Sequence, residues 1–203
     1  MSITTFVGIF ATCTSIAFIW PQVFRVFIKD STEGISPQSF LQGCCGSTMW
    51  TIYGLNKPET QVTVSNGALV VAIVLILFVC IKHKRIVWWI PVSALTMVSI
   101  FGLVVVDYSI TLMGWCTVAI GAPAIIPQVV RVYRTEHLYG VSAPMYCLLF
   151  VCCVTWFAYG AMINDWFVAA PNVIGISGSL YIWIRAVQSH KKFTAPDELV
   201  QKL

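Results

Sequence analysis

Two tryptophans and two asparagines stand out by their spacing. Trp50 precedes Asn66 by sixteen positions, and Trp156 precedes Asn172 by the same sixteen. An Asn side chain offers two donors and an acceptor, a set suited to vicinal hydroxyls. An indole face stacks on the apolar face of a ring while excluding water. Neither residue type brings a nucleophile, a base or a charge, so the chemistry they support is recognition of an uncharged, hydroxyl-rich solute. Taken singly, an Asn in an apolar segment is interhelical glue worth about 0.6 kcal/mol, and a Trp is an interfacial anchor. Two matched pairs point to a site.

These residues are embedded in a chain of 203 residues, 58% hydrophobic and only 10% charged. A soluble domain carries roughly 25% charged residues, so most of this surface faces something other than water. A helix crosses a bilayer with about 20 apolar residues. Length and polar interruptions predict seven spans, near 4–28, 37–55, 60–81, 86–106, 109–133, 142–163 and 166–187. The second is the least apolar, because Gln38, Gln42, Ser47 and Thr48 lie in it. The apolar run from the N-terminus to Phe27 lacks a basic start and a cleavage site, and reads as a first span. Only the tail beyond Arg185 reads as solvated. All eight cysteines fall in apolar stretches, without metal-ligand spacing, and read as packing residues. No metal and no cofactor is expected.

Charge placement sets direction. With the loops assigned alternately to two sides, eleven of the twelve Lys and Arg fall on one side and only Lys57 on the other. The positive-inside rule then puts the N-terminus outside and the tail in the cytosol. This placement, rather than the net charge of +4, is what matters, and it gives no reason to expect nucleic acid.

An offset of 106 positions superposes the chain on itself without a gap. Gly8 meets Gly114, Pro21-Gln22-Val23 meets Pro127-Gln128-Val129, and Arg25 meets Arg131. Gly34 and Ser36 meet Gly140 and Ser142, while Trp50, Tyr53, Gly54 and Asn66 meet Trp156, Tyr159, Gly160 and Asn172. The expected architecture is therefore all-α and integral to the membrane, with two parallel three-helix repeats joined by a linker helix. Its divisions are 1–81, a basic loop and linker at 82–107, 108–188, and a cytosolic tail at 189–203. The linker restores the orientation of the second unit, and a solute site is expected near the bilayer midplane between the repeats.

Trp50 and Asn66 are each eight positions from Pro58, and Trp156 and Asn172 are each eight from Asn164. At about 1.5 Å per residue, all four lie about 12 Å below the turns, near the middle of a core roughly 30 Å thick. Pro21 and Pro127 interrupt the first and fifth spans, as hinges or as static kinks, with Gln22 and Gln128 placed to satisfy freed carbonyls. Tyr53 and Tyr159 lie one turn above the tryptophans. Lys57, Glu59 and Asp165 lie near the rim, where Lys57 with Glu59 or Asp165 forms a closing ion pair or all remain solvated loop charges. No ionisable group is placed at mid-depth, which argues against a proton relay. No nucleophile–base set, HExxH, P-loop or GxGxxG is present, so enzymatic activity is not expected.

The paired Pro-Gln motifs, in Trp20-Pro21-Gln22-Val23 and Ile126-Pro127-Gln128-Val129, resemble those of the PQ-loop superfamily. Within it, the chain resembles the MtN3-like SWEET sugar transporters, and each half resembles a bacterial SemiSWEET. The carrying segments are Gly34-Ile35-Ser36, Trp50-Thr51-Ile52-Tyr53-Gly54, Ser65-Asn66-Gly67, Trp156-Phe157-Ala158-Tyr159-Gly160 and Pro171-Asn172-Val173-Ile174-Gly175, and the likeness covers about 5–187. It implies that Trp50, Asn66, Trp156 and Asn172 bind sugar, and that the prolines act as hinges. It implies an outer gate of Tyr53, Lys57, Glu59, Tyr159 and Asp165. It further implies uncoupled, bidirectional diffusion by alternating access at a plasma membrane. Plant-type members carry a small residue where Trp50 stands and mostly lack the Gln after the proline. This chain keeps both in both halves, so a more symmetric pocket is expected, for a mono- or disaccharide. The competing readings are a PQ-loop carrier of amino acids or other metabolites, and a seven-helix sorting receptor. One chain holds both halves and suffices to enclose a pore; a homo-oligomer is compatible with that.

Overall fold

The computed structural model describes residues 2–32, 35–138 and 141–193. The matched Gly34 and Gly140 and the tail from 194 onward lie outside the described residues. The elements are α1 (Ile3–Ile28), α2 (Pro37–Asn56), α3 (Thr60–Lys82), α4 (Trp89–Tyr108), α5 (Ile110–Gly121), a 3-10 turn (Ala122–Ile125), α6 (Ile126–Arg134), α7 (Ala143–Met162) and α8 (Trp166–Lys192). Segments this apolar become helices because only a helix satisfies every backbone donor and acceptor within itself. Helix starts are marked by side-chain caps at matched positions. Ser36 accepts from the Ser39 amide and Ser142 from the Met145 amide.

Six of the spans, counting α5 through α6 as one, are long and apolar enough to cross a membrane. The exception is α2, the span whose Gln and Ser content lowered its hydropathy. Its length of 20 residues still suffices, and it is walled by α3, α4 and α5. The chain is a multi-pass membrane protein of 3+1+3 arrangement.

The prolines depart from expectation. Pro21 does not interrupt the first span, because α1 runs unbroken through it to Ile28. The fifth span breaks instead, at the 3-10 turn that contains Pro123, with Pro127 in the first turn of α6. The cause is a second proline: Pro123 stands where the first unit has Ala17. One missing amide is absorbed by α1, whereas two missing amides four residues apart disrupt consecutive turns.

In each unit the third helix packs on the other two. α3 contacts α1 and α2, and α8 contacts α7 together with α5, the 3-10 turn and α6. Between units α1 packs on α7, and α5 packs on α2. Under the offset of 106 these are one contact seen twice, which is the signature of a pseudo-two-fold axis between the units. Linker α4 packs on α2 and α5. It leaves Val92, Met97, Ile100, Leu103 and Val104 exposed, as a lipid-facing helix requires.

Glycines permit the close crossings, since lipid supplies no hydrophobic drive between helices and packing decides association. A Cβ on Gly54 would stand 2.9 Å from the Thr63 amide nitrogen, and one on Gly160 would stand 2.6 Å from that of Ala169. Both pairs keep the 106 offset.

The buried side chains fall into three clusters. One lies within the first unit around Val26, Cys44, Ala72, Ile76 and Cys80. A second lies within the other unit around Val132, Leu138, Tyr146, Ile182 and Ala186. The third joins the units, with Ala11, Met49, Tyr53 and Val62 against Met113, Cys152, Trp156, Tyr159 and Val168. The shared cluster occupies the half of the bundle that holds the α2–α3 and α7–α8 turns. The other half carries the basic loops, and there each unit has its own core.

Candidate functional site

The shared cluster contains both tryptophans. Trp156 is buried and Trp50 half-buried. Each meets the tyrosine one turn beyond it edge-on: Trp50 and Tyr53 centroids are 5.6 Å apart at 88°, and Trp156 and Tyr159 are 5.7 Å apart at 85°. T-shaped packing of this kind holds an indole in one orientation.

Asn66 and Asn172 are half-buried, one turn along from Val62 and Val168 of the shared cluster. Asn66 Nδ2 donates to the Val62 carbonyl at 2.9 Å, and Asn172 Nδ2 donates to the Val168 carbonyl at 2.7 Å. Both amides are anchored on their own helix, and among the described residues neither bonds to another helix or to a tryptophan. Glue between helices is therefore not their part here. The same anchorage orients both amides and leaves both carbonyl oxygens without a described donor.

Beyond the tyrosines the units are bridged twice. Tyr53 Oη donates to Asp165 Oδ2 at 2.8 Å, and Tyr159 Oη donates to Glu59 Oε2 at 3.0 Å. Glu59 and Asp165 are equivalent positions, so each tyrosine binds the acid of the other unit. Lys57 Nζ adds a bond to Asp165 Oδ2 at 2.8 Å and one to Tyr53 Oη at 3.2 Å. The equivalent of Lys57 is Ile163, so only one bridge carries an ion pair. Lys57 pairs with Asp165 and not with Glu59. Asp165 is only 1% exposed, and its second oxygen caps α8 through the Phe167 and Val168 amides at 3.0 and 3.4 Å. Every lone-pair direction of this carboxylate is thus engaged, which is the condition for burying a charge.

Toward the basic end, Pro21 and Pro127 are exposed, and Gln22 and Gln128 are half-buried. With the Gln22 amide oriented to satisfy its neighbours, its oxygen accepts from the Arg25 guanidinium at 2.8 and 3.2 Å. A concavity of about 450 Å³ opens between α6 and α8, lined by Val129, Val130, Tyr133, Arg134 and Tyr181. It is mostly apolar and includes none of the four Trp and Asn side chains, so it does not replace them as the candidate site.

Sequence reasoning missed Ser15. Trp156 Nε1 donates to Ser15 Oγ at 2.9 Å across the α1–α7 contact, and Ser15 Oγ donates in turn to the Ala11 carbonyl at 3.0 Å. The signal was a mismatch in the repeat, since position 121 holds Gly where 15 holds Ser. The two tryptophans accordingly differ in their partners: Trp156 has a side-chain acceptor, and among the described residues Trp50 has no equivalent one.

Comparison with known proteins follows this geometry. A family model described as "Sugar efflux transporter for intercellular exchange" matches residues 5–85 and again 109–192. The bidirectional sugar transporter SWEET13 of Oryza sativa subsp. japonica is 22% identical over 172 residues, covering 77% of this chain and 58% of that protein. SWEET13 of Arabidopsis thaliana is 27% identical over 173 residues, covering 76% and 58%. The bidirectional sugar transporter N3 of Medicago truncatula is 26% identical over 180 residues, covering 81% and 67%. The chain thus spans about 58% of the length of the first two relatives. A solved eukaryotic SWEET transporter superposes with a TM-score of 0.75 at 16% identity, covering 94% of this chain and all of that one, and so shares its fold. With two copies of the family's three-helix unit occupying most of its length, the chain belongs to the family of sugar efflux transporters for intercellular exchange.

Proposed function

We propose that this protein carries a small neutral sugar, a mono- or disaccharide, across a membrane by uncoupled, bidirectional facilitated diffusion with alternating access. The observation that carries the reading is the pair of reciprocal bridges, Tyr53 to Asp165 and Tyr159 to Glu59. They tie the units together at the end that holds the α2–α3 and α7–α8 turns, directly beyond the Trp and Asn pairs. The separate cores at the basic end fit an opening on that side. Relatives named as bidirectional sugar transporters support the substrate class.

In this reading Trp50, Asn66, Trp156 and Asn172 hold the sugar, and Tyr53, Lys57, Glu59, Tyr159 and Asp165 close the outer mouth. Pro21 and Pro127, with Gln22 and Gln128, serve the inner opening, and Pro123 adds a break on the fifth span only. The units act as 1–81 and 108–188, with 82–107 as linker. The charge asymmetry supports an outward N-terminus and a cytosolic C-terminus, and the membrane proposed is the plasma membrane. A charge at mid-depth costs at least about 2.5–3.5 kcal/mol, and the pocket pairs are all neutral, which suits an uncharged cargo and no proton coupling.

The test is uptake of labelled glucose, fructose, sucrose and neutral amino acids into proteoliposomes. Sugar is expected to equilibrate without accumulating. Uptake of amino acids alone, or no uptake, overturns the reading in favour of the metabolite carrier or the receptor.

A further inference from the structure

The two units match in their helix contacts but not in what faces their tryptophans. On the α1–α7 side, Ser15 Oγ accepts the Trp156 indole hydrogen at 2.9 Å and lies 3.4 Å from Cys152 Sγ. Those side chains fill the seam, and Trp156 is 9% exposed. The equivalent seam between α2 and α5 has Gly121 in place of Ser15 and Gly46 in place of Cys152. A Cβ on Gly121 would stand 3.3 Å from Trp50 Nε1, and one on Gly46 would stand 3.8 Å from the Gly121 Cα. The Trp50 nitrogen therefore points at the place where the other unit keeps its hydroxyl, and here there is none. Among the described residues nothing accepts its hydrogen, and the ring is half-buried rather than buried.

The two facing glycines bring α2 and α5 into contact and leave the Trp50 indole donor without a protein acceptor among the described residues. This N–H is not sealed from its surroundings, since Arg185 Nε is the buried side-chain atom without a partner among the described residues, and an accessible donor without a protein partner is free to bond a polar guest. We propose that the halves are unequal by construction: Trp50 Nε1–H, which has no protein acceptor, donates directly to an oxygen of the solute, while Trp156, held by Ser15, is a fixed wall. Gly121 and Ser15 are the residues that assign these parts, Ser15 as a positioning residue. This rests on the sugar reading above and adds which half reads the hydroxyl.

The test uses the full chain with ¹⁵N-labelled tryptophan in nanodiscs, titrated with glucose and sucrose while indole hydrogen exchange is followed. Without sugar, Trp156 is expected to exchange more slowly than Trp50 by about tenfold, as one intact hydrogen bond implies. Ser15→Ala should abolish that difference. The sugar that is transported should shift the Trp50 indole signal and leave that of Trp156 in place. Gly121→Ala and Gly121→Ser add the same Cβ, but only serine adds an acceptor. The serine variant should bind sugar roughly 2- to 10-fold more weakly than the alanine variant and protect the Trp50 indole. Equal exchange of both indoles, equal affinities of the two Gly121 variants, or sugar uptake with a shift at Trp156 alone overturns the inference while leaving the sugar reading in place. No uptake of either sugar, with the exchange contrast and its dependence on Ser15 intact, overturns the sugar reading and upholds the unequal halves.

Discussion

Asn66 and Asn172 each spend one amide hydrogen on a carbonyl four residues back, and this decides what their loss should do. Removing such a bond from a half-exposed position costs about 0.5–1.5 kcal/mol, too little to unfold the bundle. On the proposed sugar reading, removing the oriented carbonyl takes away an acceptor for a sugar hydroxyl. Asn66→Ala and Asn172→Ala should each cut sugar transport by about tenfold or more while thermal unfolding in detergent changes little. Loss of both together would show that the residue is structural. Trp50 and Trp156 resemble each other in the sequence and still differ in the structure, because an indole's partner is chosen by the neighbouring helix.

Helix crossings explain where substitution is tolerated. The α7–α8 crossing is set by Gly160, where a methyl group would meet the Ala169 backbone at 2.6 Å. Backbone cannot swing aside as a side chain can, so Gly160→Ala should destabilise by about 1–3 kcal/mol, read as a lower unfolding temperature. Gly67→Ala is the control, since a Cβ there meets nothing within 4 Å and should be neutral or slightly stabilising. At the basic end, Asp30 ties the α1–α2 connection to the end of α3 through Lys82 at 2.8 Å and His83 at 3.1 Å. Hydrogen bonds from Lys82 first, and then His83, hold its carboxyl below the usual range. A depressed acid stabilises the fold above its unfolded pKa and loses that contribution as pH falls through the folded one. This link should therefore persist through mild acidification and weaken only below the ordinary carboxylate range, measurable as the pH at which Asp30→Asn and wild type become equally stable.

The two units share a common core at one end and keep separate cores at the other. The bridges between them are unequal, because Lys57 joins only the one at Asp165. Asp165→Asn should remove the ion pair and weaken the Tyr53 bridge, and should raise accessibility of the pocket to a thiol reagent at an introduced Trp50→Cys more than Glu59→Gln does. Equal effects of the two substitutions would show that Lys57 adds nothing to closure. With every group in the candidate pocket uncharged, a pH gradient should not drive sugar above equilibrium in proteoliposomes, and uphill accumulation would require a coupling group that the neutral pairs do not supply.

Span number, helix identity and the equivalence of the halves were legible from residue order, because apolar length, charge alternation and an offset of 106 are properties of one strand of text. Even the weakness of α2 as a lone membrane span was visible in Gln38, Gln42, Ser47 and Thr48. The pairing of Tyr53 with Asp165 and of Tyr159 with Glu59 was not, because near-rim charges look like neighbours of their own loop until the units are brought together. Ser15 and Trp156 are 141 positions apart, on helices whose contact depends on how two bundles rotate against each other. Pro123 is readable from residue order as a second helix breaker in the fifth span, since its counterpart in the first unit is Ala17. Local sequence therefore determined which helices exist and which residues are counterparts. Tertiary packing decided which counterpart has a partner, since hydrogen bonds across a seam are set by the facing side chain and not by the repeat.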